Sequence, residues 1–148
     1  MLREQELKTF VDGATHYFEV AAQQPAVLGS PYLVSGVPPT HDYTGVISIS
    51  GKREGVVYFT APRAMLTVVL MKLQQNDFSH ENMCEVVSEV ANAICGHARR
   101  GFGHDCQISA PTVFHGESAD VSLISGKRSF VIPINWRSHS AKLVVALK

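Results

Sequence analysis

Residues 45–65, GVISISGKREGVVYFTAPRAM, and residues 79–103, SHENMCEVVSEVANAICGHARRGFG, decide the fold. In the first stretch, Val46-Ile47-Ser48-Ile49-Ser50 and Val56-Val57-Tyr58-Phe59-Thr60 are strand-like runs on either side of the polar, glycine-bounded turn Gly51 to Gly55, which predicts a hairpin. Pro62 follows where a helix can start, and Met65, Leu66, Val69, Leu70 and Leu73 carry helical spacing as far as Gln74. In the second stretch Ser79 is an N-cap for a helix from about Glu81 toward Arg99, with Gly101 and Gly103 as stop signals.

Upstream, Leu7, Phe10, Val11, Ala14, Phe18 and Ala21/Ala22 recur at threes and fours, predicting an amphipathic helix from Leu2 to Ala22 that Pro25 ends. The Gly- and Pro-punctuated segment after it leaves room only for a short strand at Tyr32-Leu33-Val34. Downstream, strand-like segments are expected at Ile108 to Phe114, Phe130 to Trp136 and Lys142 to Leu147. A helix, strands, two helices and again strands make an α+β fold, a mainly antiparallel sheet packed against long helices. With 148 residues and no repeat or low-complexity tract, residues 1–148 are expected to form a single domain with one core.

Composition narrows the function. Thirteen Lys and Arg balance thirteen Asp and Glu, leaving no basic excess to neutralise a phosphate backbone, so nucleic acid is not the expected partner. Arg3, Glu4, Glu6 and Lys8 interrupt the place where a signal peptide would be apolar, and the richest apolar run, Met65 to Met71, is too short to span a bilayer. The expectation is a cytoplasmic protein without a membrane partner. Cys84, Cys95 and Cys106 are odd in number and unpaired in spacing, as reduced thiols are. With His97 and His104 they give no CxxC or HxxxH pattern, so no metal is expected. His16, His41, His80, His115 and His139 form no readable pattern. GxSxG, HExxH and P-loop motifs are absent, which speaks against a self-contained hydrolase.

The second central helix sorts into two faces. Met83, Val86, Val87, Val90, Ala91, Ile94 and Ala98 fall on one side, the expected core face. Glu85, Ser88, Glu89, Asn92, Gly96 and Arg99 fall on the other. A solvated face would look much the same, but Asn92 and Gly96 stand mid-helix, where Asn and especially Gly cost several tenths to about 1 kcal/mol against Ala. Glu89 and Asn92 set a carboxylate and an amide one turn apart, and Gly96 would let another backbone come close. This is the expected docking face, with Glu85, Ser88 and Gly96 as partner contacts.

Glu89-x-x-Asn92 with Gly96, in SEVANAICGHA behind the hairpin GVISISGKREGVVYFTAPRAM, resembles the ExxN helix of the CheC/CheX/FliY-type chemotaxis phosphatases, and the short single-motif chain is most similar to CheX. The resemblance implies hydrolysis of the aspartyl phosphate on a phosphorylated CheY-like receiver domain. Asn92 would orient the attacking water and Glu89 would hold the receiver's active-site lysine. It also implies a homodimer, for which the terminal strands Phe130 to Trp136 and Lys142 to Leu147 offer sheet-extending edges. Mg2+ would be supplied by the receiver's acidic cluster, with no cofactor bound by this chain. A non-catalytic module binding a receiver or the flagellar switch would share the fold. A small-molecule-binding α+β domain is a third reading, and a deep apolar pocket would mark it.

Overall fold

The computed structural model describes residues 2–102, 105–116 and 128–148. The chain runs α1 (Glu4–His16), a π turn (Tyr17–Ala21), β1 (Val27–Leu28), β2 (Tyr32–Ser35), β3 (Tyr43–Gly51), β4 (Gly55–Ala61), α2 (Arg63–Lys72), α3 (His80–Arg99), β5 (Cys106–Ile108), β6 (Thr112–His115), β7 (Arg128–Trp136) and β8 (His139–Leu147). The strands form one antiparallel sheet in the order β1-β7-β8-β4-β3-β5. β2 lies on β7 beside β1, and β6 on β3 beside β5, so two short strands finish each edge.

The central strands alternate as period-two side chains must. Ile47 and Ile49, Val57 and Phe59, Ile132 and Ile134, and Leu143 and Val145 join the main core with the helices. Val46, Tyr58, Val131, Val144 and Ala146 form a smaller apolar cluster of their own. The hairpin pairs Tyr43 with Ala61 through Ile49 with Gly55, and Gly51 turns the corner at φ +106°, a conformation that favours glycine.

Three expectations change. The segment Ile108 to Phe114 is not one strand: Pro111 lies between β5 and β6 and donates no backbone hydrogen bond, so β3 is paired in two pieces, Ile49–Gly51 with β5 and Tyr43–Val46 with β6. More consequentially, Lys142 to Leu147 is no free edge. β8 is hydrogen-bonded to β4 on one side and β7 on the other, and β7 is covered in turn by β1 and β2. Neither terminal strand can extend the sheet into a second molecule. The first helix also ends otherwise than its spacing implies, because after His16 it widens into a π turn closed by Ala22 N–H on the Tyr17 carbonyl at 3.2 Å.

Candidate functional site

The helix α3 starts where the sequence puts it. The Ser79 Oγ accepts from Asn82 N–H at 3.3 Å, and the Asn82 amide donates to the Asp77 carbonyl at 2.9 Å. Met83, Val86, Val87, Val90, Ala91, Ile94 and Ala98 are all buried, as the spacing requires, together with Cys95. Burial pushes the Cys95 thiol up to about 12, which suits a core residue and not a nucleophile.

Two glycines on neighbouring elements seat this helix. A Cβ at Gly45 of β3 would lie 2.9 Å from the Val87 carbonyl oxygen and 3.3 Å from the Ala91 Cβ. At Gly13 of α1 it would lie 2.8 Å from the Ile94 carbonyl oxygen. The sheet and the first helix therefore approach α3 backbone to backbone, and the remaining face is turned outward. Glu85, Glu89, Asn92, Gly96 and Arg99 are exposed there, and Ser88 is half-buried. A Cβ at Gly96 would meet no atom within 4 Å, so nothing in this chain's own packing calls for a glycine.

Glu89 stands between two grooves. On one side is a groove of about 360 Å3 between α2 and α3, lined by Leu70, Leu73, Gln75, Asn82, Glu85 and Val86 besides Glu89 itself. On the other is one of about 250 Å3 between the α1 π turn and α3, where Gly13, His16, Tyr17, Val20, Ala21 and Ala93 accompany Glu89. Tyr17 is 4 % exposed, and its hydroxyl has no hydrogen-bond partner among the described residues. A buried hydroxyl left so costs about 1–3 kcal/mol. Burial, and secondarily the Glu89 charge, raise the tyrosine's pKa above its ordinary value.

The histidines are less scattered than their sequence positions imply. The Tyr43 hydroxyl meets His80 Nδ1 at 2.9 Å, and His115 lies over Tyr43 and edge-on to His80, with ring centroids 4.7 and 4.9 Å away. Arg63 Nη1 donates to the same hydroxyl at 3.2 Å. This cluster joins β3, β6, the start of α2 and the start of α3. Nothing in the local sequence marks it, because its members come from four separate segments. His16 and His97 stack at 5.2 Å across the α1–α3 contact. Gly103 and His104 lie outside the described residues. Among the described residues no group of three or more His, Cys, Asp and Glu side chains could hold a metal ion. Glu85, Ser88, Glu89 and Asn92 project from one helix and do not enclose an octahedral oxygen cage.

An antiparallel sheet backed by helices is the fold shared with solved structures of CheC-like and CheX proteins. The chain belongs to the chemotaxis phosphatase family CheX, whose family model matches residues 43–135. The solved structures bear out the fold over nearly its whole length. A CheC-like superfamily protein from Shewanella sp. PV-4 superposes with a TM-score of 0.86 at 18% identity, covering 99% of both chains. The chemotaxis protein CheX of Desulfovibrio desulfuricans gives 0.83 at 21% identity, covering 97% of this chain and 99% of its own. CheX of Borrelia burgdorferi, solved as a CheX–CheY–BeF3–Mg2+ complex, gives 0.77 at 20% identity with 99% of both chains covered. No curated protein matches the sequence. No helix among the described residues is long and apolar enough to cross a membrane.

Proposed function

We propose that this chain hydrolyses the aspartyl phosphate of a CheY-like receiver domain, with Glu89 and Asn92 as the working pair. The observation that carries the reading is their position. In a member of the CheX family, a carboxylate and an amide sit one turn apart on the outward face of a helix whose other sides are sealed against sheet and helices. The Borrelia relative was crystallised with CheY, BeF3 and Mg2+, which supports a receiver as the kind of partner such a face meets.

An acyl phosphate is already activated, and phosphoryl transfer is governed by positioning and charge stabilisation. Asn92 can supply the positioning. Its carbonyl accepts a hydrogen bond from water while its NH2 remains a donor toward the phosphoryl group, with no change of charge. The water oxygen bonds to phosphorus, the bond from phosphorus to the carboxyl oxygen breaks, and inorganic phosphate leaves the receiver's aspartate as a carboxylate. Glu89 makes a charge-assisted hydrogen bond to the receiver's lysine and so fixes the helix in the partner's site. Glu85, Ser88 and Gly96 extend the contact along α3. A divalent cation such as Mg2+, brought by the receiver, would supply charge neutralisation at the phosphoryl group, since Glu85, Ser88, Glu89 and Asn92 project from one helix and do not form an octahedral oxygen cage.

Residues 1–148 act as one domain, in the cytoplasm where receivers work. The protein pairs as a homodimer through a surface other than β7 and β8. The β1–β2 margin suits that role, since its Tyr32 and Leu33 are 44% and 43% exposed and short edge strands present unpaired backbone groups.

The test is to mix the protein with a panel of phosphorylated CheY-like receiver domains and follow phosphate release with and without a chelator. Accelerated, chelator-sensitive loss from at least one receiver is expected. Binding without acceleration would leave a docking module and remove the enzyme.

A further inference from the structure

Tyr17 carries a hydroxyl that the packing of this chain does not use. Its ring lies edge-on to Phe18 at 5.4 Å and 85°, and Phe18 in turn tilts against Phe59 and Trp136 at 6.4 and 5.5 Å. A phenylalanine would fill that place equally well. Instead a phenol is buried there without a hydrogen-bond partner among the described residues, against the strong tendency of buried polar groups to be paired. It stands at the first position of the π turn that ends the first helix. The groove that it lines is shared with the Glu89 side chain across the α1–α3 contact.

In the unbound protein Glu89 is exposed, and water can satisfy its carboxylate. A docked partner excludes that water, and a desolvated carboxylate then needs fixed donors on both sides. We propose that Tyr17 is a positioning residue of the site: with a receiver covering the groove, its hydroxyl donates a hydrogen bond to Glu89 and holds the carboxylate in the rotamer that meets the receiver's cation. This rests on the reading of Glu89 and Asn92 given above. The tyrosine is well placed as a donor, because burial and the neighbouring negative charge keep it protonated.

The experiment compares Tyr17→Phe with the parent, each in the native and the Glu89→Ala background, against the receiver dephosphorylated fastest in the panel. Tyr17→Phe should raise KM roughly ten- to a hundredfold, as loss of a hydrogen bond to a charged group does, with kcat within about twofold and the thermal midpoint unchanged or higher. In the Glu89→Ala background the same change should add little, since the two act through one contact. An unchanged KM, an equal loss in both backgrounds, or a lowered thermal midpoint would overturn the proposal. Asn92→Ala is run alongside. If it is inactive while Tyr17→Phe is normal, only Tyr17 falls; if Asn92→Ala keeps full activity, the catalytic reading falls and Tyr17 with it.

Discussion

Asn92 is exposed on α3, so Asn92→Ala is expected to abolish receiver dephosphorylation while leaving the thermal midpoint and receiver affinity nearly where they were; phosphate release and calorimetry on the same sample decide it. Glu89→Lys should weaken receiver binding by several kcal/mol, because it sets a cation against the one expected from the partner, and a titration with beryllofluoride-activated receiver measures the loss. Gly96 separates stability from recognition. With open space around its Cβ, Gly96→Ala should stabilise the isolated protein by about 0.5–1 kcal/mol. It should still bind the receiver less tightly if a second backbone comes close there, and unchanged affinity would remove Gly96 from the interface. Glu89, Asn92 and Gly96 were legible in the sequence because helical spacing fixes which side chains share a face. Tyr17 was not, since spacing marks a buried ring but not that its hydroxyl lacks a partner beside Glu89, a residue far away in the chain.

At the level of elements, α1 is tied to the β3–β4 turn by Glu6, whose carboxylate accepts from Arg53 Nε at 2.8 Å, from Arg53 Nη2, and from the Arg3 backbone N–H at 3.0 Å. Hydrogen bonds from Arg53, foremost, lower the Glu6 pKa from 4.5 to about 2 against the upward pull of burial. A depressed carboxylate lends stability that is fully present above its unfolded value and is lost as pH falls through the folded one. Thermal midpoints should therefore drop between about pH 4.5 and 2, and Glu6→Gln, at a cost of about 1.5–3 kcal/mol at neutral pH, should flatten that part of the profile. The same logic of contact applies to Gly45. A side chain there meets the Val87 carbonyl, so Gly45→Val should cost about 1–3 kcal/mol through overpacking and displace α3, lowering phosphatase activity more than stability. The hairpin and the long helix were readable from their glycines, Ser79 and apolar spacing. The two-piece pairing of β5 and β6 was not, because strand runs alone do not say which neighbour a strand will choose.

For the whole molecule, light scattering is expected to give twice the 16.2 kDa chain mass, and Leu33→Lys at the sheet margin should shift it toward the monomer; a wild-type monomer at micromolar concentration would remove the dimer. Sheet order was the least legible feature, since β8 finds its neighbours in β4 and β7, strands that lie far apart along the chain. That arrangement bears on the order in which a nascent chain can become active. The helix with Glu89 and Asn92 is complete in the chain by residue 99, yet the sheet beneath it stays divided until residues 139–147 slot between β4 and β7. Synthesis thus makes the proposed docking face before the strand that joins the sheet under it, so this fold must wait for β8. A chain stopped before His139 should show neither a cooperative melting transition nor phosphatase activity, and the expected transition should return when residues 139–148 are supplied as a separate peptide.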